Sequence, residues 1–266
     1  MQPLLNIAVR AARRAGDIIV RAIPRLDGIE VHSKGRNDYV SEVDRAAEAD
    51  IIETIRRLHP DHAFLGEESG ESGKGDVVWI IDPLDGTTNF LHGFPTFAVS
   101  IACQIRGRLE HAVVFDPMRQ EMFTASRGDG AQCEGRRMRV SKQTTLEGSL
   151  IATGFPYRAD SPWLDEYLAM LKSVMTKAAG LRRPGAAALD LAYSAEGAFE
   201  GFFELGLSLW DVAAGAVLVL EAGGVVTDWD GDAAGPYRSG DILAGVPGWH
   251  ERMLSVMSTA RSGATT

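Results

Sequence analysis

Cysteine is nearly absent. Cys103 and Cys133 are the only two, with no CxxC pair and no His/Cys pairing at zinc spacing, which excludes a disulfide scaffold and a thiolate metal centre and suits a reducing cytoplasm. No apolar run approaches the ~20 residues of a membrane-spanning helix, so direct membrane contact is not expected. Blocks of Lys or Arg are missing too: acidic residues outnumber basic ones 36 to 27, for a net charge of -9. Bulk-charge binding of nucleic acid by the chain alone is therefore disfavoured. Internal repeats, low-complexity tracts and Pro/Ser/Gly linkers are also lacking, apart from a short polar tail after Ala260. What remains is 266 residues, 45% apolar and 24% charged, at the upper end of what one hydrophobic core supports.

The opening stretch "MQPLLNIAVRAARRAGDIIVRAI" is Arg-rich and carries no acid before Asp17, as an organellar transit peptide does. Its Leu5, Val9, Ala12, Ala15, Ile19 and Ile23 recur every three to four residues, which predicts the first amphipathic helix of the fold instead. A polar turn, "KGRNDYVSEVD", leads to a second amphipathic helix marked by Ala47, Ile51, Ile55 and Leu58 and ended at Pro60. "HAFLGEESGESGKGD" reads as a Gly/Ser-rich loop, "VVWIID" as a strand, and "FAVSIACQI" with "HAVVFDP" as a hairpin joined through "RGRLE". From "GSLIATG" onward strand and helix patterns alternate. The change of rhythm near residue 145 suggests two subdomains, 1–145 and 146–266.

The stretch "WIIDPLDGTTNF" poses the chemical question, because a buried apolar run ends in Asp82, Pro83 and a second carboxylate, Asp85. If Pro83 bends the chain, both acids turn to one side with the Leu84 carbonyl between them, and such a cluster repels itself unless a cation neutralises it. Oxygen donors of this kind select Mg²⁺ or Mn²⁺ over zinc. Plain turn hydrogen bonding by the two aspartates is the competing reading. "GTTNF" adds a glycine, two hydroxyls and a possible helix start, whose Gly86 and Thr87 N–H groups suit a phosphate oxygen.

With "GEES" upstream and "WDVAAG" downstream, these residues resemble the signatures of the inositol monophosphatase family, within the lithium-sensitive, Mg²⁺-dependent phosphatases. "LNIAVRAARRAG", "KGRNDYV", "RRPGAAALDLAY" and "GFFELGL" are similar to its bacterial SuhB-type branch. The resemblance runs from the first helix to about Arg261. It implies an α+β or α/β fold, the layered αβαβα sandwich of the inositol monophosphatase/fructose-1,6-bisphosphatase type, and a homodimer. It implies two or three Mg²⁺ per site: one on Glu67, Asp82 and the Leu84 carbonyl, a second on Asp82, Asp85 and Asp211, and a weaker third beside Glu67 through waters. By the same likeness Asp44 accepts a hydrogen bond from Thr87 and the pair orients the attacking water, while Lys34 lies near the metals. Gly86 and Thr87 would hold phosphoryl oxygens, and Asp85, Ala187 and Glu204 would face the ring of a phosphorylated polyol.

Each of these residues also has a plainer reading. Ser41-x-x-Asp44 is a helix capping box, Glu67 and Glu68 a solvated loop pair, Asp211 a helix N-terminal acid and Glu204 a surface charge at a strand end. The implied activity is hydrolysis of myo-inositol monophosphates. Fructose bisphosphate, histidinol phosphate and 3'-phosphoadenosine nucleotides are alternative substrates on the same metal site. The likeness also implies a non-catalytic alternative, in which RNA polymerase and Nus-factor contacts serve antitermination of ribosomal RNA transcription. "RGDGAQCEG" misplaces the third glycine of a dinucleotide motif and fits a hairpin turn better. His59 and His62 straddle Pro60 and read as loop residues. Arg182 and Arg183 are left open between phosphate, a neighbouring subunit and solvent.

Overall fold

The computed structural model describes residues 2–35, 38–156 and 164–264. The N-terminal stripe forms α1 (Pro3–Ala22), which opens on a proline whose missing N–H costs nothing there and buries Leu5, Ile7, Ala8, Ala11, Ala12, Ala15 and Ile19. Gly16 lies in the same stripe, and a Cβ on it would come within 2.5 Å of the Phe115 ring. Its lack of a side chain is what lets the helix lie this close.

The expected polar turn is largely an antiparallel hairpin, β1 (Val31–Gly35) and β2 (Asp38–Ser41). It delivers the chain to α2 (Glu42–Arg56), which stops earlier than Pro60 would require. A second correction concerns "HAFLGEESGESGKGD". Instead of one loop it supplies β3 (Ala63–Gly66) and β4 (Gly70–Ser72). These strands are too short for a period of two to stand out between glycines, and burial of Phe64 holds the first in place.

Next come β5 (Val77–Asp85), α3 (Thr87–Leu91), β6 (Ala98–Ile105), β7 (Arg108–Asp116), β8 (Glu121–Ser126), β9 (Gly130–Cys133) and β10 (Arg136–Arg137). The hairpins expected at "RGRLE" and "RGDGAQCEG" are both formed. The second half continues with β11 (Leu150–Thr153), α4 (Leu164–Met175), β12 (Gly180–Arg182), α5 (Ala187–Glu196), β13 (Gly201–Glu204) and α6 (Leu209–Glu221). It closes with β14 (Val225–Thr227), α7 (Pro236–Ser239), β15 (Ile242–Gly245) and α8 (Pro247–Ala264).

Beyond the first hairpin the strands make two sheets, ordered β10-β9-β8-β7-β6-β5-β3-β4 and β12-β11-β13-β15-β14. Side chains alternate across the larger one: Trp79 and Ile81 face the cluster built on α1 and α2, whereas Ile80 faces that built on α5 and α6. In the smaller sheet Phe202 points to α5 and α6, and Phe203 joins the cluster under α4 and α8. Five layers result: α1/α2, the large sheet, α5/α6, the small sheet, and α4/α8. This is the αβαβα sandwich. Helix α6 contacts both sheets and is buried from Val212 to Val219, as a helix apolar on every side requires. Gly215 lets it press on α5, since a Cβ there would meet Leu191 at 2.5 Å.

Candidate active site

The puzzle of Asp82 and Asp85 is resolved by a β-bulge. Along β5 the pairing with β6 runs Asp82 to Ser100 and then Asp85 to Ala98, three residues against two. Pro83, which cannot donate to a ladder, sits in the irregularity, and a bulge re-aims the side chains around it. Asp82 turns back to accept from the Leu84 N–H at 3.0 Å. Glu67 follows β3, parallel to β5, and its N–H reaches the Ile81 carbonyl at 3.1 Å. The two acids thus emerge together at the carboxyl ends of parallel strands, a usual place for ligands. Burial above all, then the charges of Glu67, Asp85 and Asp211, push the Asp82 carboxyl well up from the ordinary range.

Directly after the bulge Gly86 takes a left-handed φ of 97°. A side chain there is also excluded by the Thr96 carbonyl, 2.9 Å from where a Cβ would stand. That turn starts α3 and places the Thr87 hydroxyl 2.8 Å from Asp44 and 3.0 Å from the Leu84 carbonyl. Asp44 satisfies both of its readings. Its Oδ2 accepts from the Ser41 N–H at 2.9 Å and from the Ser41 hydroxyl, closing the capping box of α2, while Oδ1 takes Thr87. It is fully buried, and that burial raises its pKa against the lowering effect of these hydrogen bonds.

Asp85 accepts from the Ala188 N–H at 2.7 Å, in the first turn of α5, so the start of α5, including Ala187, is tied to the bulge. Burial and then Asp211 raise its pKa well above normal. Asp211 caps α6, accepting from the Ser208 N–H at 2.6 Å. Glu204 ends β13 on the same cavity, and burial pushes its carboxyl up to about 8. The cavity measures about 560 Å³ and is lined by Glu67, Asp82, Leu84, Asp85, Gly86, Thr87, Ala187, Glu204 and Asp211 together. Lys34 lies on β1, and its side chain falls outside the described residues.

Several contributors escaped the sequence reading. Glu48, one turn beyond Asp44 on α2, accepts from the N–H groups of Glu68 at 2.9 Å and Ser69 at 2.8 Å, fixing the turn that carries Glu67. Gly66 leaves room for it: a Cβ there would lie 2.5 Å from the Glu48 carboxyl. Asn89 donates to the carbonyls of Thr96 at 2.7 Å and Pro184 at 2.8 Å, pinning the loop before α5 against α3. Asp190 is buried with Oδ1 lacking a hydrogen-bond partner. The i, i+4 pair Asp44 and Glu48 carried a weak signal. The others carried none, because their partners are remote in sequence.

The donor set fits hard divalent cations. Asp82 and Asp85 are buried and driven toward protonation by desolvation and by neighbouring acids, Glu67 foremost for the first and Asp211 for the second, a state that bound positive charge relieves. Among the described residues no three His, Cys, Asp or Glu side chains stand as a finished metal cage. The carboxylates instead ring an open cavity, which suits Mg²⁺ because that ion keeps several waters and shares substrate phosphate oxygens.

Fold and site together define a layered phosphatase architecture, and comparison places the chain within it. Residues 1–262 match the model of the inositol monophosphatase family, and the chain belongs to that family. It is 58% identical over 250 residues to the Nus factor SuhB of Pseudomonas aeruginosa, covering 92% of each chain. The Nus factor SuhB of Escherichia coli K12 is 51% identical over 266 residues, 99% of each. The crystal structure of extragenic suppressor protein suhB from Bartonella henselae superposes with a TM-score of 0.93 at 43% identity, over 96% of this chain and 98% of that one. A Thermotoga maritima IMPase does so with 0.89 at 32% identity, over 99% and 100%.

Proposed function

We propose that this chain is a Mg²⁺-dependent phosphomonoesterase that hydrolyses myo-inositol monophosphates to inositol and phosphate. The observation that carries the reading is that Glu67, Asp82, Asp85 and Asp211 line one cavity with the Thr87 hydroxyl, itself bonded to the buried Asp44. Glu67, Asp82, Asp85, Asp211 and the Leu84 carbonyl would hold two or three ions. Bound there, Mg²⁺ would neutralise phosphate charge and acidify the attacking water.

The protein's own share is orientation. Thr87 donates its single proton to Asp44, which leaves the hydroxyl lone pairs to accept from water and aim it at phosphorus. The Gly86 and Thr87 amides hold phosphoryl oxygens. Glu204 and the first turn of α5 near Ala187 meet the ring hydroxyls of the polyol. The test is phosphate release from inositol 1-phosphate with Mg²⁺ titrated from zero. No turnover at saturating Mg²⁺ by folded protein refutes the reading. Li⁺ is expected to inhibit uncompetitively with respect to substrate, and insensitivity would remove the weakly held ion beside Glu67.

The apolar side of α4, where Leu164, Leu168 and Met175 are exposed, supports a homodimer, and light scattering after gel filtration checks it. A second reading rests on the full-length likeness to two proteins called Nus factor SuhB. In it the chain contacts the cytoplasmic transcription machinery through protein surfaces, independently of turnover. Retention on RNA polymerase and Nus factors by wild type and Asp85→Asn alike would support it. Loss of retention in both would end it.

A further inference from the structure

Glu48 is a buried carboxylate that the proposed reaction leaves unused. It lies one turn beyond Asp44 on α2 and is 2% exposed, and it spends both oxygens on backbone: Oε2 accepts from the Glu68 N–H at 2.9 Å and Oε1 from the Ser69 N–H at 2.8 Å. The hairpin it grips does not need it. Strands β3 and β4 pair Gly66 with Gly70 around Glu67, Glu68 and Ser69, and Gly70 takes a left-handed φ of 69°, the glycine geometry in which short hairpin loops commonly close. A further negative group buried behind Glu67 and Asp82 also works against folding unless something is gained by it.

What Glu48 adds is a fixed position for Glu67. Of the acids acting on Asp82, Glu67 has the largest effect, and both line the cavity, so a small rotation of this turn displaces a carboxylate meant for metal. The same helix holds the Thr87 hydroxyl through Asp44 at 2.8 Å. Helix α2 therefore ties the group that orients water to the turn that carries a cation ligand. We propose that Glu48 is a positioning residue, which acts through the two amides of the Glu67 turn and sets how tightly the site holds its divalent cations. The inference rests on the metal site of the phosphomonoesterase reading and names the residue that sets its metal demand. Gly66 supplies an independent lever on the same contact. A Cβ there would stand 2.5 Å from the Glu48 carboxyl carbon and Oε2 and 2.7 Å from Oε1, and the Gly66 backbone is not left-handed. Gly66→Ala thus displaces the carboxylate and keeps its charge, whereas Glu48→Gln removes the charge and one acceptor and keeps the shape.

The experiment measures Mn²⁺ binding to substrate-free protein by electron paramagnetic resonance, with inositol 1-phosphate turnover against Mg²⁺ alongside. The proteins are wild type, Glu48→Gln, Gly66→Ala, the double variant and Ile51→Val. Ile51→Val trims the buried face of α2 and controls for lost stability: it should melt lower and keep the wild-type Kd. In Glu48→Gln and in Gly66→Ala the Kd for Mn²⁺ should rise about 10- to 100-fold, the usual cost of losing a group that orients a metal ligand, and the Mg²⁺ needed for half-maximal rate should rise with it. The double variant should show less than the product of the two effects, because both break one contact. An unchanged Kd in Glu48→Gln overturns the proposal, as do effects that multiply in full. A rise in Glu48→Gln but not in Gly66→Ala also overturns it, by assigning the effect to charge instead of the turn. An equal rise in Ile51→Val does so too, by making weaker binding a consequence of stability. Should thermal melts show that Glu48→Gln has lost the fold, Gly66→Ala against Ile51→Val decides by the same measure. Wild type that binds Mn²⁺ without releasing phosphate rejects the phosphatase reading, while the Kd values of the variants still decide this inference. Wild type that binds no Mn²⁺ rejects both.

Discussion

Gly154→Ala tests the polyol contact without altering any charged group. The glycine is buried, and a Cβ built on it would lie 1.8 Å from the Glu204 carboxyl carbon and 1.9 and 2.1 Å from its oxygens. Ordinary carbon contacts are about 3.5–4.0 Å, so the carboxyl must retreat by roughly 1.5–2 Å. Glu204 is an end-of-strand side chain with several rotatable bonds, and the fold should therefore absorb the methyl at the overpacking cost of about 1–3 kcal/mol. For a chain of this size that is a fall in Tm of roughly 2–12 °C. Function should suffer more. A displacement of about 1 Å in a positioning group costs up to about 10²-fold, so kcat/KM for inositol 1-phosphate should drop by about that factor. p-Nitrophenyl phosphate has no ring hydroxyl to meet Glu204 and should lose far less, and the Mg²⁺ dependence should be unchanged. Equal losses on both substrates, or wild-type rates on inositol 1-phosphate, would refute a role for Glu204 in holding the polyol.

Three further outcomes are expected. In metal-free protein the raised folded pKa of Asp82 contributes stability below the unfolded carboxylate range near pH ~4 that is lost as pH rises through the folded value. Asp82→Asn should accordingly melt higher than wild type at pH 7 in EDTA, gain less from Mg²⁺ and have no turnover; a lower melting point would mean that repulsion at the bulge is unimportant. Thr87→Val keeps the shape but removes the donor to Asp44, so kcat should fall by about 10²–10⁴ with KM little changed, and a near-wild-type kcat in single-turnover phosphate release would discard the Asp44–Thr87 pair. His62 accepts from the buried Trp79 indole at 3.0 Å and stacks on His59 at 4.5 Å. Burial, then His59, lowers its pKa, so its contribution is present above pH ~6.5 and lost as pH falls through the folded value. With Mg²⁺ saturating, wild type should lose more stability than His62→Asn between neutral and acid pH, and parallel melting profiles would count against it.

The strongly periodic elements were legible in the sequence because their pattern is local. Helix α1 shows itself by its apolar stripe, and α6 by a length and hydrophobicity that only burial explains. β3, β12 and β14 span three or four residues each, too few for alternation to register, and they exist because a neighbouring strand offers a ladder. The early end of α2 and the hairpin of β1 and β2 belong to the same class, set by what the segments dock against.

For the site, "WIIDPLDGTTNF" by itself announced paired carboxylates broken by a proline, a glycine turn and hydroxyls, while Glu67 of "GEES" and Asp211 of "WDVAAG" were singled out only by the resemblance to the inositol monophosphatase signatures. Residue type and order carry that much, since charge, donor hardness and backbone freedom are properties of the residues themselves. Which reading each acid takes was decided in three dimensions. Asp44 is both a helix cap and the partner of Thr87, 43 positions away, and Asp211 both caps α6 and lines the cavity. Asn89 and Gly154 had no signature, and Glu48 only its i, i+4 spacing from Asp44, because each acts on a group brought near only when the layers close: the loop before α5, the Glu204 carboxyl, the Glu67 turn. Arg183, undecidable in sequence, was placed by the Phe155 ring and by the space above Gly185. The sequence determined which charges and hinges this protein owns; only tertiary structure decided which of them share a cavity, because distance in space, unlike residue type, is set by packing between distant segments.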